Sequence, residues 1–126
     1  MGLLILLFFA LAALTTFWAT CVVLFRNSLN RLSRTIYIIG TLGTAVTTYL
    51  TTYQYGYFPD ANTQILGWPI PLVVFQRESP TAPWLDFVGF TALLAYPMNL
   101  LIFLFIPSTL VLIRFAMLRK AHLKRF

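Results

Sequence analysis

The run GLLILLFFALAALTTFWATCVVLF, residues 2–25, carries no charge over 24 positions, and fourteen of them are Leu, Ile, Val or Phe. As a helix it would be about 36 Å long, enough to cross a bilayer with some tilt. Each strongly apolar side chain adds a few tenths of a kcal/mol to insertion, so crossing is favourable overall. A cleaved leader would instead show a Lys/Arg start, a shorter apolar run and a polar sequel. Lipidation at Cys21 fits poorly too, because Val22–Phe25 prolong the apolar run. The segment is read as a membrane span.

Working outward, the whole chain has the same character. Its 126 residues are 60% hydrophobic and 10% charged, with a mean hydropathy of +0.83. A soluble domain is about 45–50% apolar and about 25% charged, so lipid is expected to be part of the solvent. Nine Lys/Arg against three Asp/Glu give a net charge of +6. The cations sit in blocks at the ends of apolar runs, which is a topology signal rather than a nucleic-acid surface.

Residues 26–34 form a link bearing Arg26, Arg31 and Arg34, with Asn27, Ser28 and Asn30 as turn and capping residues. A second uncharged run follows at 35–58. Its strongly apolar aliphatics are only Ile36, Ile38, Ile39, Leu42, Val46 and Leu50, so its insertion is marginal and depends on protein partners. Residues 59–83 hold five of the seven prolines and read as an outer loop, in which Leu72–Phe75 suits a strand or an interfacial segment. A third span is expected at 84–113, kinked at Pro97 and Pro107, with Asp86 near its start. The basic tail, 114–126, continues that helix. The expectation is an all-α, single membrane domain over residues 1–126.

Orientation follows from the loops. The 26–34 link and the tail carry eight of the nine cations, while the 58–86 region has Arg77 against Asp60, Glu78 and Asp86. Positive residues stay inside, so the N-terminus is expected outside and the C-terminus inside. Arg26, Arg31, Arg34, Arg114, Arg119, Lys120, Lys124 and Arg125 are then inner-surface anchors. The expected location is a multi-pass position in a bacterial inner (cytoplasmic) membrane.

Within span two, at 100° per residue, Gly40, Gly43, Thr44, Thr47 and Thr51 share one face, and Thr48 extends the Gly40-xxx-Thr44 spacing. Small residues let a neighbouring backbone approach, so these positions read as a helix-packing seam. The bland alternative is that each hydroxyl bonds its own helix four residues back. Span one offers a matching series, Ala12, Thr16 and Thr20, so an internal hairpin is the economical partner. Asn99 reads as an intramembrane polar group near the middle of span three. It would bond across helices, to a cofactor, or to a carbonyl freed by the Pro97 kink, the last being favoured.

Tyr49, Tyr53, Tyr55, Tyr57, Phe58, Trp68 and Trp84 gather at the outer boundary as an aromatic belt. The same rings would suit contacts with lipid, quinone or pigment. Cys21 and His122 each occur once in the chain, so the chain by itself cannot build a bis-histidine haem site or a common structural zinc site, and no metal and no cofactor of its own are expected. No ionisable residue falls in the middle of a span, which disfavours a coupled carrier. Paired acids among Asp60, Glu78 and Asp86 would be the only route to an enzyme, and their spacing shows no logic. The expected function is a non-catalytic accessory or structural subunit of a larger membrane complex, such as a respiratory or photosynthetic electron-transfer assembly. Its partners would be membrane lipids and other transmembrane subunits, with no nucleic acid. The alternative is a self-assembling small channel or uncoupled transporter, its pore lined by Thr41, Thr44, Thr48, Thr51 and Asn99.

Overall fold

A computed structural model describes residues 2–27, 29–89 and 92–124. Ser28, Phe90, Thr91, Arg125 and Phe126, which enter the expectations above, lie outside the described residues. The order of elements is α1 (Gly2–Phe25), α2 (Arg31–Tyr53), β1 (Gly56–Asp60), β2 (Thr63–Leu66), β3 (Val73–Gln76), β4 (Leu85–Phe87) and α3 (Ala95–Leu123). Three helices are therefore present in the expected order, and a small sheet stands where a loop was expected. Two of the helices, α1 and α3, are long and apolar enough to cross a membrane. The threonine- and tyrosine-rich α2 is not counted with them.

Two boundaries need correction. Span two was expected at 35–58, but α2 starts at Arg31 and ends at Tyr53. Its start is set by Asn30, whose side-chain oxygen accepts the Ser33 N–H at 3.0 Å, a helix N-cap that the arginines do not disturb. At its end Leu50 O accepts both Gln54 N and Tyr55 N at 3.0 Å, and Gly56 then opens β1. The third helix was expected to start at residue 84 and to continue into the basic tail; it begins at Ala95 instead and runs on to Leu123. Leu85-Asp86-Phe87 joins the sheet, so Asp86 lies in β4 and not at a helix start. Pro97 is the third residue of α3, in the first turn, where a missing N–H breaks no intrahelical bond. It opens the helix rather than kinking it; Pro107 alone sits in the helix interior.

By its contacts the chain divides into two compact units. The first, Met1–Thr44 with Leu101–Phe126, is helical. Its core is Ala19, Val22, Val23, Leu29, Tyr37 and Val111, with Leu112, Phe115 and Leu118 packed against it. Ala12 is also fully buried, so α1 turns a face of small residues inward and leaves its large ones out. Arg34 secures the link between α1 and α2 by donating to Arg26 O at 2.6 Å and Asn27 Oδ1 at 3.2 Å.

The second unit, Ala45–Leu100, holds the sheet, an antiparallel meander in the order β1-β2-β3-β4. Gly56 pairs with Leu66, Leu66 with Val73, and Val74 with Phe87. The β1–β2 turn is held by Asp60 Oδ1, which accepts the Asn62 N–H at 2.8 Å. Arg77 fastens the β3–β4 connection. It donates to Pro80 O at 3.0 Å and Ala61 O at 2.7 Å, and its guanidinium lies 4.5 Å from the Trp84 ring centroid.

Candidate functional site

The 67–71 segment, Gly-Trp-Pro-Ile-Pro, is the most constrained part of the second unit. Gly67 N donates to Tyr55 O at 2.8 Å, Trp68 N to Thr51 O at 3.1 Å, and Leu72 N to Leu66 O at 2.7 Å. The Trp68 bond satisfies one of the carbonyls that the end of α2 would otherwise leave open. Gly67 has φ +97°, and a Cβ there would lie 2.8 Å from Leu72 N and 3.0 Å from Thr52 O. Only glycine fits that approach. The Trp68–Pro69 peptide bond is cis.

Asn99 grips the same segment. It is fully buried. Its Oδ1 accepts the Ile70 N–H at 2.9 Å, while Nδ2 donates to Ile70 O at 3.1 Å and to Thr52 Oγ1 at 3.0 Å. The carboxamide pairs with both main-chain groups of one residue, as opposed residues do in an antiparallel sheet, and the third bond ties that pair to α2. The favoured expectation, that Asn99 fills a carbonyl freed at a proline kink, is replaced by this cross-element clamp. Asn99 is also the fifth residue of α3 rather than a mid-helix residue, because the helix begins at Ala95. Thr48 and Thr52 beside it on α2 are fully buried.

A second polar cluster lies in the first unit. Thr20 Oγ1 is 3.3 Å from Tyr37 Oη, which is 3.5 Å from Ser108 Oγ, which is 3.5 Å from Thr16 Oγ1. Each of the three helices contributes at least one hydroxyl. Thr16 and Thr20 also donate to Ala12 O and Thr16 O of their own helix at 2.8 Å. The spacing had marked Thr16 and Thr20 as packing residues; nothing local had marked Tyr37 or Ser108.

The buried line on α2 runs through Tyr37, Thr48 and Thr52, with Thr41 and Thr44 half-buried between them. That line is rotated by roughly 80° from the seam expected on Gly40, Gly43, Thr44, Thr47, Thr48 and Thr51, at 100° per residue. Thr48 lies on it. Gly40 and Thr51 are half-buried, and Gly43 and Thr47 are exposed. Gly40 still faces α3: a Cβ built on it would stand 4.0 Å from Pro107 Cβ. Thr41, Thr44 and Thr51 donate to Tyr37 O, Gly40 O and Thr48 O on their own helix.

Of the expected anchors, Arg26, Arg31, Arg114, Arg119, Lys120 and Lys124 are exposed and Arg34 is half-buried. The aromatics expected to form a belt make ring contacts within the second unit: Tyr49–Tyr53 at 5.1 Å, Tyr53–Tyr96 at 6.0 Å, Tyr55–Tyr57 at 6.0 Å and Phe58–Trp84 at 6.5 Å. Among the described residues no three of His, Cys, Asp and Glu come together to hold a metal ion. Comparison with known proteins finds no matching family model, no similar curated protein and no similar solved structure.

Proposed function

We propose that the chain is a non-catalytic subunit of a larger membrane complex, crossing the bilayer three times through α1, α2 and α3. Residues 26–34 and the tail face the inside and the sheet-bearing segment faces the outside. The observation that carries the reading is the exposure of α1. Its most apolar 18-residue window is only 11% buried, and that of α3 only 22%. Leu3, Leu4, Leu6 and Phe17 are each more than 60% exposed. A helix this apolar in a soluble core would be mostly covered, so lipid or protein must cover these sides. The polar groups of the interior are spent on holding the helices and the 67–71 segment in place. Such a molecule supplies helices and an ordered outer surface to neighbours. An electron-transfer assembly, respiratory or photosynthetic, is the host its aromatic rings would suit, through shared contacts with lipid, quinone or pigment.

The channel alternative asks Thr41, Thr44, Thr48, Thr51 and Asn99 to line a pore. Three of those threonines bond their own helix and Asn99 is engaged by Ile70 and Thr52, which speaks against it. The test is isolation at native abundance in mild detergent, followed by identification of whatever copurifies. A defined set of membrane proteins in fixed ratio is expected. A stable, monodisperse homo-oligomer that conducts ions or solutes in proteoliposomes would overturn the proposal in favour of the channel.

A further inference from the structure

We infer that a basic pocket in the helical unit binds the headgroup of an anionic phospholipid. The inference rests on the membrane reading above and gives it a ligand class. The pocket, about 610 Å³, is lined by Arg26, Phe115, Leu118, Arg119, His122 and Leu123. Phe115, Leu118, Arg119 and His122 follow the i, i+3, i+4, i+7 spacing, so one face of α3 presents two apolar side chains followed by Arg119 and His122. Arg26 comes from the residue just past α1, and its guanidinium stands 5.6 Å from the Phe115 ring centroid. That ring orients one cation toward the opening that Arg119 shares.

The charged side chains of this unit are of one sign. Asp60, Glu78 and Asp86 all fall within residues 45–100, whereas residues 1–44 and 101–126 hold eight of the nine Lys/Arg and no Asp or Glu. Two arginines lining one pocket, in a unit with no carboxylate side chain, suit an anion, and the planar fork of arginine suits phosphate oxygens in pairs. The walls decide which anion. Phe115, Leu118 and Leu123 would stay wet around free phosphate. An acyl chain leaving the headgroup would cover them and continue along the apolar Leu101–Ile113 stretch of α3. A phospholipid meets both requirements, and basic pockets between helices at the inner membrane face are recognised sites for such headgroups.

The test uses the full chain in nanodiscs of phosphatidylcholine doped with phosphatidylglycerol, with retained lipid counted by native mass spectrometry. Membrane integration is checked first by alkaline carbonate extraction. Release at that step overturns the membrane reading itself, whereas the remaining outcomes bear on the pocket alone. Wild type should retain phosphatidylglycerol in preference to phosphatidylcholine. The variant R26Q/R119Q should bind it about thirtyfold more weakly, the loss expected when two direct guanidinium–phosphate contacts go. The control R31Q/K124Q removes the same charge from residues that do not line the pocket, so it loses no direct contact with the headgroup and should stay within about threefold of wild type. Equal losses in the two variants, or no preference for phosphatidylglycerol in wild type, overturn the proposal. So does Arg26- and Arg119-dependent binding of a soluble glutamate-rich peptide without lipid preference, which would make the pocket a protein dock. A measurement needing no variant is protection of Arg119 from phenylglyoxal, expected in phosphatidylglycerol nanodiscs and not in pure phosphatidylcholine; equal modification in both overturns it.

Discussion

Replacing Asn99 with leucine tests the clamp that organises the second unit. The side chain is fully buried, so no water stands ready to substitute for it. The change removes three hydrogen bonds, to Ile70 N, Ile70 O and Thr52 Oγ1. The Thr52 hydroxyl can turn to a carbonyl of its own helix, so its share of the cost is small. The Ile70 N–H and C=O cannot turn; they are half-buried, so each left unpaired costs up to roughly 1–3 kcal/mol, less where water reaches it. The expected loss is therefore about 1–4 kcal/mol, placed on the 67–71 segment and the start of α3. Asn99→Asp should cost as much or more, because it keeps an acceptor for Ile70 N–H but buries a carboxylate whose second oxygen faces Ile70 O with no proton to donate. Thr52→Val should cost least, about 1 kcal/mol. The assay is thermal unfolding of the purified chain in detergent, with hydrogen exchange read at the Ile70 amide. In Asn99→Leu that amide should exchange far faster while amides in the middle of α1 keep their protection. A melting point unchanged from wild type with unaltered Ile70 exchange would refute the clamp.

Gly67→Ala puts a methyl 2.8 Å from Leu72 N at φ +97°; a loss of about 1–3 kcal/mol is expected in the same melting assay. At Gly40 a Cβ would meet Pro107 Cβ at 4.0 Å, an ordinary van der Waals contact, so Gly40→Ala should be neutral or stabilising by up to about 1 kcal/mol. Gly40→Leu should cost about 1–3 kcal/mol by overpacking against Pro107. Tyr37→Phe removes the hydroxyl between Thr20 and Ser108, whose contacts are long at 3.3 and 3.5 Å; the loss should be about 1 kcal/mol or less. A larger drop would mean that these hydroxyls bond more tightly than their spacing implies.

What was legible in the sequence was whatever a local run encodes. Charge-free α1 and the apolar stretch of α3 announce themselves, and Leu72–Phe75 carries enough β-branched and aromatic character to suggest β3. Hydropathy cannot place the ends. Leu85-Asp86-Phe87 is apolar enough to be folded into the run that follows, and only its partner Val74-Phe75-Gln76 makes it a strand. Pro97 was weighed as a kink because the helix was assumed to be under way; at the third helical position the same residue marks a beginning. Arg31 and Arg34 were assigned to the link for their charge, although the Asn30 cap already set the start of α2. The polar clusters were less legible still. Asn99 and Ile70 are 29 residues apart, and Tyr37 and Ser108 are 71 apart. Such pairings arise only once the helices are packed. The seam on α2 was displaced for a related reason. Small residues were taken to mark the inward face, whereas the hydroxyls of Tyr37 and Thr52 point inward because buried partners await them there.

Single-cysteine labelling in intact cells and in inverted membranes tests the central claim most directly. Asn30→Cys, Ala61→Cys and Lys124→Cys, each in a Cys21→Ser background, sample the first link, the β1–β2 turn and the tail. Three crossings with the cationic ends held inside predict that an impermeant maleimide reaches position 61 only from outside and positions 30 and 124 only from inside. Labelling of positions 30 and 61 from the same side would contradict the threading and, with it, the proposed role.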